Sequence, residues 1–555
     1  MSALKSPSLL RDMTILGLVF GVLFFSFLGN RPLTAPDEGR YVEIPREMVA
    51  TGDYLTPHLN GLKYFEKPPL LYWVQAIPIK FFGIQEWAMR LPLALFALLG
   101  CLMTYFFARR LYSRSTGLWS ASILGSSLLY NSLARVITLD MGFTFFMTLT
   151  LFSFLVASDE PHPTKRRWWM YLAAIAGAGA VLTKGLIGLV LPGMIIGIWL
   201  VVSQRWRRLR WLFIPSSLLI FLIVVLPWHI LVSLKTPEFF DFYFVREHFT
   251  RYLTTVHRRY QPFWFFIPII LIGLLPWTSF LWRSFKALWP KSVASCRENP
   301  QDLFFILWTL VPVLFFSASN SKLIPYILPI FPPLSIMIGY FIRNQLSDAK
   351  SFKGEIFTYS ALCLCVMAGL TYYLAEVDLT LQQAFQSFLP SLYIILGASA
   401  VLLPILRLWK GERMALYGTM VSGVALILLM VQASPHLERV SVKPLAEKFL
   451  KIMPEETKVF TYGGYYQDLP PYLDRTVQVV NWYGELEFGT TIDPTQTQVV
   501  THQYFEKTWK AKSPVCVFLR QDRYNDLTQF RWFTPTLLGD HDGHVLGCNQ
   551  SSKKE

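Results

Sequence analysis

The sequence predicts an all-α polytopic membrane bundle with a small α/β domain at its C-terminal end. Three observations carry this reading. Hydrophobic residues make up 53% of the 555 residues and charged residues only 16%, too little charge to coat the surfaces that soluble domains of this total length would expose. Apolar runs long enough to cross a hydrocarbon core recur as far as residue 433. Beyond that point they stop, and short alternating runs replace them. This composition excludes a disordered chain, a disulfide scaffold and a typical cytosolic enzyme. The net charge of +15 does not call for nucleic acid, because membrane proteins gather Lys and Arg on their cytoplasmic loops and no basic–aromatic nucleic-acid module stands out. The six cysteines show no zinc-site spacing.

Roughly 20 apolar helical residues span a bilayer. Candidate spans lie near 12–29, 91–108, 117–134, 139–157, 168–183, 185–202, 211–233, 262–282, 302–318, 323–341, 356–374, 388–406 and 414–433, about thirteen in all. The first follows Lys5 and Arg11 and reads as a retained anchor rather than a cleaved signal. With the N-terminus in the cytoplasm, the inner loops are Arg109–Arg114, Lys165–Arg167, Arg205–Arg210, Arg283–Arg297, Arg343–Lys353 and Arg407–Arg413, each with three or four basic residues. The short outer loops hold at most one each. Residues 1–433 then form the spanning domain, with long charged outer segments at 30–90 and 234–261. Residues 434–555 lie outside as a small mixed domain. Lys458–Tyr462, Thr476–Val480 and Pro514–Leu519 read as its strands, and Gly463-Gly464 as a turn. Cys516 and Cys548 both fall there; spacing alone does not show whether they pair. Asn549-Gln550-Ser551 matches a glycosylation sequon and reads as a chance match.

Charges at membrane depth are costly and mark function. Five clusters fall on the outer side of this topology. The first is Pro36-Asp37-Glu38-Gly39-Arg40-Tyr41, continuing to Met48. Asp37 can cap a helix starting at Glu38, with Arg40 on the same face; a solvated interfacial helix with local ion pairs fits the same pattern. The second is Tyr64-Phe65-Glu66-Lys67-Pro68-Pro69. Pro68 holds Lys67 out of helical geometry and aims it at a ligand, unless Lys67 simply snorkels in an aromatic belt. The third is Asp140, with Arg135 as a possible partner. The fourth is Arg246-Glu247-His248-Phe249-Thr250-Arg251. The fifth is Ser319-Asn320-Ser321-Lys322, running on to Tyr326. Lys184 adds a further outer cation. Lys67, Arg251 and Lys322 suit a phosphate. Asp37 and Asp140 suit general-base work or binding of an amine or hydroxyls. Glu66 and His248 suit a shared divalent metal, zinc first, or an ordinary hydrogen bond to each other.

With these motifs in place, the chain resembles the ArnT-type lipid A aminoarabinose transferases of the GT-C superfamily of polyprenyl-phosphate-sugar-dependent glycosyltransferases. The resemblance runs from the Pro-Asp-Glu-x-Arg-Tyr stretch and Tyr-Phe-Glu-Lys-Pro through the Asp-bearing fourth span, the Glu-His loop and the Lys-Leu-x-x-Tyr-Ile-Leu segment to an outer C-terminal domain. It implies a GT-C bundle with interfacial periplasmic helices between the first two spans, in the bacterial inner membrane with its site and C-terminal domain periplasmic. It implies undecaprenyl phosphate carrying 4-amino-4-deoxy-L-arabinose as donor, a lipid A phosphate as acceptor, and polymyxin resistance as phenotype. Carried over residue by residue, Asp37 and Asp140 match the essential acids and Arg40 their neighbouring cation. Lys67, Arg251 and Tyr326 match ligands of the donor phosphate, and Glu66 and His248 a metal pair. Glu38, Lys184 and Lys322 are further candidates. No Walker or Rossmann fingerprint is present, so no nucleotide cofactor is expected. Related transferases acting on lipopolysaccharide core, O-antigen or protein share the acidic outer loop. A transporter would place its binding residues near mid-membrane on broken helices, and a scaffold would not need paired outer charges. The expectation is one extracytoplasmic pocket lined by these residues.

Overall fold

The computed structural model describes residues 7–212, 214–250, 260–376, 385–437, 441–493 and 495–550. It divides into two compact units: Met1–Phe27 with Leu93–Ile230 and Tyr243–Leu437, and Leu28–Pro92 with Leu231–Phe242 and Glu438–Glu555. The long outer segment after the first span thus belongs to the same unit as the C-terminal tail.

The first unit is the helical bundle. Among the described residues of the chain, nine helices are long and apolar enough to cross a membrane. A tenth span counts if Phe266–Gly273 and Trp277–Leu288, bent by 110°, are taken together; Pro276, which has no amide to continue a helix, sits at the break. The other three predicted regions take different forms. Region 117–134 is split into Arg114–Gly125 and Leu128–Leu133. At that split Ser126 and Ser127 donate their hydroxyls back to the carbonyls of Ser122 and Ile123, a competing bond that favours interruption. Region 168–183 lies within the 22-residue helix Pro163–Lys184. Region 185–202 is the 16-residue helix Ile187–Val202.

Charge separates the two ends of this unit. The 21-residue helix Leu139–Asp159, about 30 Å long at 1.5 Å per residue, carries Asp140 at its start and Asp159 at its end. Asp159 takes Arg205 at 2.6 Å and Arg208 at 2.7 Å, and Arg110 reaches Glu160 at 3.1 Å. Two of the predicted basic inner loops, Arg109–Arg114 and Arg205–Arg210, are therefore tied to one end of this helix, and Asp140 pairs at the other.

In the second unit, the outer segment forms the helices Asp37–Thr51 and Leu70–Phe82 and a hairpin, β1 (His58–Leu59) and β2 (Leu62–Lys63). Asn60 and Gly61, both at positive φ, make its turn. The Asn60 amide exchanges two 2.9 Å bonds with the backbone of Val477, docking the hairpin on the tail. The tail is a six-stranded mixed sheet: β3 (Lys458–Tyr462), β4 (Gln478–Val480), β5 (Val499–Val500), β6 (Val515–Arg520), β7 (Thr536–His541) and β8 (His544–Cys548), in the order β5-β4-β3-β6-β8-β7. β5, β4, β3 and β6 are parallel; β8 and β7 add antiparallel. Phe460, Phe505, Trp509, Val517, Leu519 and Val545 fill one core. All three predicted strands are present. Cys516 and Cys548 face each other across β6 and β8 and form a disulfide. Asn549 is a structural residue: its amide donates to the carbonyls of Trp509 and Ser513, and its Oδ1 accepts from the Val515 amide.

One buried carboxyl in the tail sets a pH dependence. Asp468 has no exposed surface. Its Oδ2 accepts from Ser441 Oγ and the Val442 amide, both at 2.9 Å, capping the approach to helix Lys443–Ile452. Its Oδ1 has no partner among the described residues. Burial, only partly opposed by the Val442 and Ser441 bonds, pushes this carboxyl up to about 6. The folded state therefore holds a proton that the unfolded state releases near pH 4, so stability falls as pH rises from about 4 to about 6. Asp468→Asn is expected to flatten that decline and to gain up to about 3 kcal/mol at pH 7. Melting temperature against pH, wild type against variant in detergent, checks this.

Candidate functional site

The acidic motif of the outer segment is mostly structural. Helix Asp37–Thr51 is buried at Glu38, Gly39 and Tyr41 through Met48, so it is not the solvated helix its local pattern also allowed. Glu38 is fully buried. Arg31 grips it with bonds of 2.7 and 3.0 Å, Arg90 with bonds of 2.8 and 3.0 Å, and the Thr34 amide and hydroxyl each add 3.1 Å. Arg90 also donates to the carbonyls of Leu28, Arg31 and Pro32. Every lone pair of Glu38 is occupied by the protein's own donors, which marks it as an anchor for the helix. Further along, Glu43 pairs with Arg46 at 2.7 Å and Glu47 accepts the Gly61 amide. Gly39 stands where a Cβ would lie 2.4 Å from the backbone of Gln467 and Asp468; only glycine lets the helix sit this close to the tail.

Asp37 and Arg40 occupy the remaining face. Asp37 is the first helical residue and makes no side-chain cap; its carboxylate sits in the first turn, where the helix dipole favours negative charge. It is half-exposed, and its Oδ1 lies 3.7 Å from Arg40 Nη1. Arg40 Nε lies 2.7 Å from Glu485 of the tail, which also accepts Gln467 Nε2 at 2.7 Å. Burial pushes the Glu485 carboxyl up, and Arg40 opposes it. Arg40 also feels the Tyr64 ring hydroxyl and Glu66 electrostatically. The hydroxyls of Tyr64 and Tyr72 are buried and have no partner among the described residues. Lys67 precedes the Pro68-Pro69 break and helix Leu70–Phe82, and its Nζ donates to the Glu66 carbonyl at 2.9 Å.

The bundle unit assembles a second group. Asp140, in the first turn of Leu139–Asp159, pairs with Lys184, the last residue of Pro163–Lys184. Arg135, the partner that proximity in sequence allowed, instead donates to Asn131 and to the Leu23 carbonyl. The Lys184 ammonium lies 4.5 Å from the ring centre of Tyr326 and 5.3 Å from that of Phe143, cation–π distances. Three residues far apart in sequence, Asp140, Lys184 and Tyr326, thus form one cluster. Lys322 does not join it: its Nζ donates to the carbonyls of Gln261 and Ser319, tying two loops together. Arg251 lies outside the described residues, as does the side chain of His248. Among the described residues no three His, Cys, Asp or Glu side chains surround a common point.

Sequence reasoning missed Glu485, Gln467 and the Tyr64 hydroxyl. The only signal for Glu485 is an acid in an aromatic, glycine-bearing turn just past a strand.

Lys184→Met leaves Asp140 buried and unpaired. It is expected to cost about 3 kcal/mol of stability. Adding Asp140→Asn recovers most of that loss, because no charge is then left alone. Thermal unfolding of the two single variants and the double variant in detergent measures the coupling.

Residues 33–243 match the family model described as dolichyl-phosphate-mannose-protein mannosyltransferase, and residues 445–545 the one described as aminoarabinose transferase C-terminal domain. An undecaprenyl phosphate-alpha-4-amino-4-deoxy-L-arabinose arabinosyl transferase of Pseudomonas paraeruginosa is 30% identical over 427 residues, 76% of either chain. Its counterpart in Erwinia tasmaniensis is 32% identical over 391 residues, 70% of this chain and 69% of the relative. The crystal structure of ArnT from Cupriavidus metallidurans bound to undecaprenyl phosphate superposes with a TM-score of 0.86 at 28% identity, covering 97% of this chain and 98% of that one. With a likeness this long in both sequence and fold, the chain belongs to the undecaprenyl phosphate-aminoarabinose arabinosyl transferase family.

Proposed function

We propose that this protein is a membrane glycosyltransferase that moves 4-amino-4-deoxy-L-arabinose from undecaprenyl phosphate to a phosphate of lipid A. The observation that carries the proposal is the end-to-end superposition on an ArnT bound to undecaprenyl phosphate. The basic loops gathered at one end of the bundle support an orientation with that end in the cytoplasm. Asp37, Arg40 and the tail domain would then work on the periplasmic face of the inner membrane.

In this reading the leaving group is a lipid phosphate. Its departure builds negative charge, which Lys67, Arg251 and the Tyr326 hydroxyl stabilise, at about 1.5–3 kcal/mol for each charged contact. The acceptor is itself a phosphate monoester with a second pKa of about 6. It arrives largely ionised and needs no general base. Asp37 and Asp140 are therefore assigned to orientation and to the sugar's ammonium rather than to proton removal. Arg40, held by Asp37 and Glu485, positions the Asp37 carboxylate. Glu38 and Lys322 hold the segments on which these groups stand, and Lys184 holds Asp140.

The lipid A mass spectrum of a deletion strain should lack the increment of one aminopentose on a phosphate, and complementation should restore it. An unchanged lipid A, with sugar lost instead from core, O-antigen or protein, would assign the enzyme to a related transferase. Asp37→Asn is expected to lower transfer by about 100-fold with its pH profile unchanged in shape, since no proton is abstracted. Full activity would remove Asp37 from the mechanism.

A divalent cation at Glu66 and His248 is a separate proposal. A carboxylate and an imidazole are ordinary zinc ligands, and water or substrate oxygens would complete so small a set. The ion would supply Lewis-acid charge to the leaving phosphate. Elemental analysis of purified protein should find about one zinc per chain, lost in Glu66→Ala; metal-free, fully active protein would dismiss it.

A further inference from the structure

The bundle carries a cavity of about 390 Å³ that the transfer reaction does not use. It lies at the basic end, where the helices Glu86–Leu111 and Leu139–Asp159 terminate. Its wall is apolar, with Leu9, Phe106 and Leu155; its rim is ionic, with Arg109, Arg110, Asp159 and Glu160. Apolar wall and charged rim meet where spanning helices end, the depth at which a phospholipid changes from acyl chain to head group.

The rim carries both signs. Arg110 lays its guanidinium 5.5 Å from the ring centre of Trp169 and spends Nη2 on Glu160 at 3.1 Å. Its Nε and Nη1 donate to no described residue, and its side chain is 37% exposed. Neighbouring Arg109 also lines the cavity, but Asp12, Tyr105 and Ser8 engage its guanidinium, so Arg110 is the lining cation with open donors. Asp159, 36% exposed, is held by Arg205 and Arg208 from one side; Glu160 is buried and held by Arg110 and the His162 amide. A purely anionic head group would meet Arg110 and then two carboxylates. A quaternary ammonium has no N–H to give those carboxylates. A head group with a phosphate and a primary ammonium satisfies both: phosphate oxygens on the open Arg110 donors, N–H groups on Asp159, with the Glu160 charge close behind.

We propose that this cavity is a binding site for an aminophospholipid of the phosphatidylethanolamine type, seated with its acyl chains against the Leu9–Phe106–Leu155 wall. The site is independent of the sugar-transfer reading, since none of its residues belongs to the proposed transfer machinery.

The test is native mass spectrometry of the full chain released from nanodiscs of equal parts phosphatidylethanolamine, phosphatidylglycerol and phosphatidylcholine. The wild type should retain phosphatidylethanolamine at least fivefold over either other lipid. Arg110→Gln should abolish the retention. Glu160→Gln, which keeps the cation and removes one carboxylate, should shift the preference toward phosphatidylglycerol, and it serves if Arg110→Gln fails to fold. Soluble phosphoethanolamine, which has the head group without the chains, should not displace the lipid. Equal retention of the three lipids, a wild-type preference for phosphatidylglycerol, or displacement by phosphoethanolamine would each overturn the proposal.

Discussion

A carboxylate with no exposed surface must have its countercharges built around it, and the outer segment is organised by that requirement at Glu38. Arg31 and Arg90 bracket it from the two ends of the segment, and Arg90 simultaneously ties down three backbone carbonyls at 28–32. Removing Glu38 would strand two buried guanidinium groups, a loss of several kcal/mol. This clamp fixes where helix Asp37–Thr51 begins. Once the start is fixed, the helical repeat decides the rest: Glu38, Tyr41 and Val42 turn inward, and Asp37 and Arg40 share the other face. Gly39 lets that helix press against the tail backbone, so that Glu485 can reach Arg40. The pairing that makes Arg40 available to Asp37 is thus set by an ion triad whose bonds are all satisfied within the protein.

The spanning architecture was legible in the sequence because bilayer thickness sets a length and an apolar content that a single window reveals. Where a predicted span is interrupted, the cause is local. The 117–134 run has the hydropathy of a span, yet Ser126 and Ser127 divert hydrogen bonds inside it. The tail strands were legible through alternation, and the partner of Cys516 became visible only when β6 and β8 were laid side by side.

The candidate site was legible as a list of unusual charges but not as a set of pairings. Asp140 has Arg135 five residues away, and sequence proximity favoured it. The helix geometry instead delivers Lys184, 44 residues on, because the long helices Leu139–Asp159 and Pro163–Lys184 run antiparallel and bring their opposite termini together. Glu38 and Lys322 looked like reactive charges for the same reason that they are structural: both are ions at low exposure. Sequence cannot distinguish an ion held by two arginines or two carbonyls from one that awaits a ligand. Glu485 had no pattern at all, since its role exists only through a contact more than 400 residues away.

Within each unit a candidate carboxylate rests in contact with a cation: Asp37 with Arg40, which also meets Glu485, and Asp140 with Lys184. On the proposed reading the donor phosphate goes to Lys67, Arg251 and the Tyr326 hydroxyl, and the sugar's ammonium adds a second positive partner to Asp37 and Asp140. An aminosugar on a lipid phosphate has both charges in one head group; a neutral hexose on the same phosphate has only one. Sites built around a polar group discriminate most strongly against the analogue that lacks it, because the group's partner is then left unsatisfied. On the proposed reading, the carboxylates that accompany each cation make the amine of the sugar, rather than the lipid that carries it, the feature on which donor selection turns.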